Sequence, residues 1–160
     1  MCGGLFINMS KNDEFYIKKA ISAAKLAEKQ DEVPIGAVVV LDGKIIARGH
    51  NKREQTNDPT THAEVEAIRK ACKKLNSWRI PNCEIYVTVE PCPMCAALIS
   101  SSRIKRVIYG APDIKGGSLN EEFNLYKSAK LNHYPEVTGG VLKDECATLV
   151  SNYFKKKRNK

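Results

Sequence analysis

Two short segments far apart along the chain, His62-Ala63-Glu64 and Pro91-Cys92-Pro93-Met94-Cys95, set the tightest limit on how it can fold. Cys92 and Cys95 are three residues apart, so one helical turn opening at Pro93 brings both sulfurs to the same side. Thiolates and imidazole are favoured donors for zinc, and a catalytic zinc site takes three protein ligands and leaves a fourth position to water. With His62 as the third donor, the fold has to bring the starts of two separate helices together at one edge. Helix starts carry positive partial charge, which also favours thiolate over thiol. In an open α/β sheet such starts follow the carboxyl ends of strands, where ligands bind.

The pattern around these segments fits that requirement. Apolar residues at Phe15, Ile17, Ile21, Ala24, Leu26 and Ala27 predict an amphipathic helix over 13–29. Stretches 33–41 and 44–50 read as two strands about Asp42-Gly43, a dipeptide suited to a tight hairpin turn. Asn57-Asp58-Pro59-Thr60-Thr61 is a run of turn and cap residues ahead of a helix over 63–75, with His62 and Glu64 at its mouth. A strand over 84–89, a helix over 93–101 and a strand over 105–109 follow. Beyond Gly110 the chain is polar to Gly117, then helical or irregular around 121–129, with a last strand near 136–138. Gly139-Gly140 precedes a final helix over 142–157 whose inner face is Val141, Cys146, Leu149, Val150, Tyr153 and Phe154. Helices alternating with strands after a hairpin imply a mixed sheet covered on both faces.

At 160 residues, 42% hydrophobic and 28% charged, the chain is expected to form one domain over 1–160 with its own core. Met9 precedes the natural start of the first helix, so residues 1–8 are expected to be a frayed or extra tail. The first residues lack the basic start and long apolar middle of a secretory signal, and no apolar run reaches the roughly 20 residues of a membrane span. The expected location is therefore the cytoplasm. Six cysteines without a secretory signal, only two of them closely spaced, favour metal ligands and buried thiols over disulfides. Cys72, Cys83 and Cys146 read as small buried hydrophobes. A net charge of +8 favours an acidic partner, with nucleic acid the commonest large one.

Glu64 turns a metal site into a candidate enzyme. A carboxylate two positions from a ligand can accept a proton from an activated water and pass it to a leaving amine. A lone C-x-x-C also reads as a redox pair or a structural knuckle, and a lone H-x-E carries little. Together, in this order and with Pro91 directly before Cys92, they match the signature of zinc-dependent nucleobase deaminases.

At these residues the sequence resembles the tRNA adenosine deaminases of the cytidine and deoxycytidylate deaminase superfamily. The likeness extends through Glu32-Val33-Pro34-Ile35-Gly36-Ala37-Val38, Asp58-Pro59-Thr60-Thr61-His62-Ala63-Glu64, Thr88-Val89-Glu90-Pro91-Cys92 and Ser102-Arg103-Ile104. It continues through Gly140-Val141-Leu142, Glu145-Cys146 and Tyr153-Phe154-Lys155. The resemblance implies a cytidine deaminase-like, three-layer αβα sandwich with a five-stranded mixed sheet. It implies one Zn²⁺ per subunit on His62, Cys92 and Cys95, with Glu64 catalytic. By the same resemblance, Asn51 and the Ala63 backbone amide hold the flipped nucleotide, and a homodimer converts the wobble adenosine of a tRNA anticodon stem-loop to inosine.

Two departures bear on RNA contact and not on the chemistry. The stretch 114–119 is slightly shorter than the family pattern, and Tyr134 stands where arginine is common. The run Lys155-Lys156-Lys157-Arg158-Asn159-Lys160 suits phosphate contact and, equally, a solvated helix end complementing its dipole. His50 and His133 read as ordinary polar residues, although His133 falls in a stretch that resembles the family and, by that resemblance, could line the RNA groove. Two rival functions stay open at this point: a deaminase of free guanine, cytosine or a cytidine nucleotide, and a non-catalytic RNA-binding subunit with structural zinc. Glu64 speaks against the second, because a structural site has no use for a proton carrier.

Overall fold

The computed structural model describes residues 2–159, with side chains from Asn12 onward. The expectation of a tail at residues 1–8 falls on side chains outside that range. The elements in chain order are α1 (Cys2–Lys29), β1 (Gly36–Leu41), β2 (Lys44–His50), α2 (Arg53–Thr56), α3 (Ala63–Leu75) and β3 (Cys83–Val89). They continue with α4 (Pro93–Ser101), β4 (Arg106–Ala111), α5 (Leu125–Ser128), β5 (Glu136–Thr138) and α6 (Lys143–Arg158). The strands form one sheet in the order β2-β1-β3-β4-β5. β1 is antiparallel to β2 and β3, while β3, β4 and β5 run parallel. The expected sandwich around a five-stranded mixed sheet is the fold observed.

Alternation along the strands explains the layers. Ala37, Val39, Ile85, Val87 and Val107 turn to one face, where Ala67, Ile68 and Ala71 of α3 and Ala96 and Ile99 of α4 cover them. Val38, Val40, Tyr86 and Ile108 turn to the other and meet Ile17 and Ile21 of α1 and Cys146 of α6. Strands buried on both faces read as continuous apolar runs, as Ala37 to Val40 does. At the hairpin turn Asp42 and Gly43 both have positive φ, 50° and 76°, the backbone that matches the twist of the flanking strands.

Two glycines let helices press directly on the sheet. A Cβ on Gly36 would collide with the Ala20 carbonyl and the Ala24 amide of α1. A Cβ on Gly49 would collide with the Ala63 carbonyl and lie 2.7 Å from the Ala67 amide of α3. Overpacking against backbone has no flexible neighbour to absorb it, so Gly36→Ala is expected to destabilise the fold by about 1–3 kcal/mol. Urea titration checks this: the midpoint should fall with an unchanged slope.

Three elements depart from the sequence reading. α1 runs back to Cys2, well before Asp13. The region 121–129 holds only one helical turn, Leu125–Ser128, started by the Asn124 side chain accepting from the Tyr126 amide at 3.0 Å. On α6, Cys146 and Tyr153 are buried but Phe154 is 44% exposed, so the inner face is narrower than its apolar residues suggest.

Candidate active site

β2 and β3 run in the same direction, because each is antiparallel to β1. Their carboxyl ends therefore share one edge of the sheet. α3 opens after β2 and the single turn of α2, and α4 just beyond β3, which places both helix mouths side by side. His62 is the N-cap of α3 and Cys92 the N-cap of α4, both with extended backbone. Pro93 at the first position of α4 suits a helix start, and Cys95 follows one turn on.

The three sequence-predicted donors come together. The His62 Nδ1 lies 3.7 Å from the Cys92 Sγ and 3.5 Å from the Cys95 Sγ. All three donor atoms fall within 4.8 Å of one another, the one such group among the described residues. Tetrahedral zinc, with bonds of about 2.3 Å to sulfur and 2.0–2.1 Å to nitrogen, sets its nitrogen and sulfur ligands about 3.6 Å apart. The donor set therefore fits zinc in both chemistry and spacing. Its electrostatics agree: the hydrogen bond from Cys95 draws the Cys92 thiol down to about 4, and His62 adds to the effect. Cys95 is pushed up by its bond to Cys92 and by burial. The Cys92 hydrogen bond raises His62.

Glu64 stands in the first turn of α3, 4% exposed, and burial pushes its carboxyl up to about 7. Beside it opens a cavity of about 150 Å³ lined by Ile35, Asn51, Arg53, His62, Ala63, Glu64, Val89, Glu90, Cys92 and Asp113. That volume is about what one six-membered aromatic ring occupies. Asn51 is buried, its Oδ1 accepting from the Arg53 amide at 3.2 Å, so its amide nitrogen is left for the cavity. Ala63 is the first residue of α3, where a backbone N–H has no carbonyl within the helix to bond. All six residues singled out from the sequence thus meet at one place.

The sequence reading gave no role to Arg53, Glu90 and Asp113, which also line the cavity. Glu90 lies inside the Thr88–Cys92 stretch already singled out, and its position directly before Pro91-Cys92 was the available signal. Arg53 sits on α2, a single turn too short to show periodicity. Elsewhere, His133 bonds the Ile104 carbonyl at 2.7 Å as an ordinary polar residue. Cys83 and Cys146 are buried, Cys72 half-buried, and none is bridged.

Comparison with known proteins places this geometry. The family model of the MafB19-like deaminases matches residues 11–158. The tRNA-specific adenosine deaminase of Bacillus subtilis (strain 168) is 48% identical over 148 residues, covering 92% of each chain. That of Aquifex aeolicus (strain VF5) is 43% identical, covering 91% of this chain and 96% of its own. A solved structure from work on A-to-I editing by tRNA:A34 deaminases at the wobble position superposes with a TM-score of 0.80 at 44% identity, covering 84% of this chain and 98% of that one. With the match running nearly end to end and the fold shared, the chain belongs to the MafB19-like deaminases and to the tRNA-specific adenosine deaminase family.

Proposed function

We propose that this protein hydrolyses the wobble adenosine of a tRNA anticodon loop to inosine, releasing ammonia, with one Zn²⁺ per subunit held by His62, Cys92 and Cys95. The observation that carries the reading is the convergence of those three donors beside the buried Glu64 on a ring-sized cavity. Zinc bound there supplies the Lewis acidity that makes water nucleophilic at neutral pH. Glu64 takes a proton from the attacking water and delivers it to the exocyclic amine. The C6–N6 bond breaks, ammonia leaves, and the ring keeps the oxygen. Asn51 and the Ala63 amide orient the flipped base from the cavity wall.

The basic balance of the chain suits an RNA substrate. In the terminal run, Lys157 is tied to Asp31 at 2.7 Å, whereas Lys155 and Arg158 are exposed and available to phosphates. We further propose, on the resemblance drawn from the sequence alone, a homodimer working in the cytoplasm, where tRNA is found. No helix among the described residues is long and apolar enough to cross a membrane.

The test is to incubate the purified protein with an anticodon stem-loop carrying adenosine at the wobble position and to look for inosine by mass. Ammonia from guanine or cytidine, with none from the stem-loop, would transfer the site to a free-base or nucleotide deaminase. Ligand removal gives a second check: Cys92→Ser and His62→Ala are expected to purify with well under one zinc per chain, read by elemental analysis. Full occupancy in either variant removes that residue from the ligand set.

A further inference from the structure

The cavity is walled by two segments with little packing of their own. On one side α2 contributes Arg53 and contains no buried residue. On the other, the loop after β4 contributes Asp113, and its neighbours Pro112, Ile114 and Lys115 are exposed, Ile114 by 96%. Hydrophobic burial does not hold α2 or residues 112–115; in the second segment it begins only further along, where Leu119 enters the core. A buried carboxylate lies behind each. Glu32, 1% exposed, accepts the Glu54 amide at 3.0 Å through Oε1 and the Gln55 amide at 2.9 Å through Oε2. Glu90, 3% exposed, accepts the Asp113 amide at 3.1 Å through Oε1. Its Oε2 accepts the Leu119 amide and the Asn120 Nδ2, both at 2.9 Å.

Among the described residues neither carboxylate forms an ion pair. Each is stabilised by N–H donors alone, and those donors belong to the two walls. Charge-assisted bonds of this kind are short and directional, so they fix backbone position more tightly than neutral ones. The scaffolds are firm: Glu32 follows the end of α1, and Glu90 directly follows β3, beside which Ser118 donates its amide and hydroxyl to the Pro91 carbonyl at 3.1 and 2.9 Å.

We propose that Glu32 and Glu90 are the positioning residues of the cavity: Glu32 holds the Asn51–Arg53 rim, Glu90 holds the Asp113 wall, and together they set how the nucleotide fits. Glutamine at either place keeps the volume but turns an NH₂ group toward an N–H donor. The kinetic arm of the test rests on the wobble-adenosine reading; the exchange arm needs no substrate.

The experiment compares Glu32→Gln and Glu90→Gln with the wild type by hydrogen exchange and by steady-state kinetics on the anticodon stem-loop. The expected result is faster exchange confined to peptides spanning 51–56 in the first variant and 112–120 in the second. KM should rise about tenfold in each while kcat moves far less, because a lost hold on the rim weakens binding without touching Glu64. Should Glu90→Gln fail to fold, Asn120→Ala removes one of the three donors and should move the same peptides and the same constant by a smaller factor. Wild-type exchange at residues 54 and 55, and at 113 and 119, would overturn the proposal; so would a fall in kcat with KM unchanged. A wild-type enzyme inert on the stem-loop would refute the substrate reading alone, with the exchange result still deciding the positioning role.

Discussion

Glu64→Gln is expected to lower kcat on the anticodon stem-loop by at least about 10³-fold, with zinc content and melting temperature close to wild type. Positioned proton transfer typically contributes 10²–10⁴-fold, and in the proposed mechanism one carboxylate serves both the attacking water and the leaving amine. The other acids on the cavity are engaged by donors of their own. Both oxygens of Glu90 are occupied by N–H donors, and the Asp113 Oδ1 already accepts the amides of Lys115 and Gly116. Glutamine preserves the buried volume and is neutral where burial already disfavours the charged carboxylate, so the fold should not suffer. Single-turnover assays, metal analysis and a thermal melt on one preparation separate these effects. Activity above a tenth of wild type would remove Glu64 from the mechanism.

The second large effect lies at the opposite end of the sheet. Arg106, at the start of β4, makes a two-pronged pair with Asp13 of α1, Nη1 to Oδ1 at 3.0 Å and Nη2 to Oδ2 at 2.6 Å. It also bonds Glu84 and Thr138, and Tyr86 donates its hydroxyl to Asp13 at 3.1 Å. The Arg106 and Asp13 side chains are 13% and 8% exposed, shielded enough that solvent does little to weaken the pair. Arg106→Ala would leave the Asp13 carboxylate buried with one neutral donor, a change that costs about 3–5 kcal/mol. For a domain of this size that corresponds to roughly 6–20 °C in Tm. Asp13→Ala should cost less, since Glu84 still holds the guanidinium, and the double variant less than the sum. Because the network is remote from the cavity, kcat well below the melt should be nearly unchanged. A Tm within about 2 °C of wild type in Arg106→Ala would show that the network contributes little.

The contrast between these two sites explains what the sequence could reveal. His62, Glu64, Cys92 and Cys95 are recognisable because their residue types are themselves the chemistry, and their short spacings survive folding. The sheet was legible because Val38, Val39 and Val40 must alternate between two covered faces. Arg106 and Asp13 were not, since the side chains lie 93 residues apart and only the register of β4 against α1 joins them. In a linear reading Arg106 is one more solvated cation. Glu32 and Glu90 are hidden for a related reason: a carboxylate in sequence looks like surface, and its burial depends on amides contributed from elsewhere. α2 escaped notice because one turn has no period, and α5 proved shorter than 121–129 because Asn124 starts its only turn by a local side-chain bond.

Gly49 carries a practical corollary for anyone redesigning this protein. The opening turn of α3 rests backbone to backbone on the strand beneath it, leaving no slack through which Glu64 could be re-aimed. Altered base preference would have to be sought in the two tethered walls, which border the cavity without supplying a candidate metal ligand.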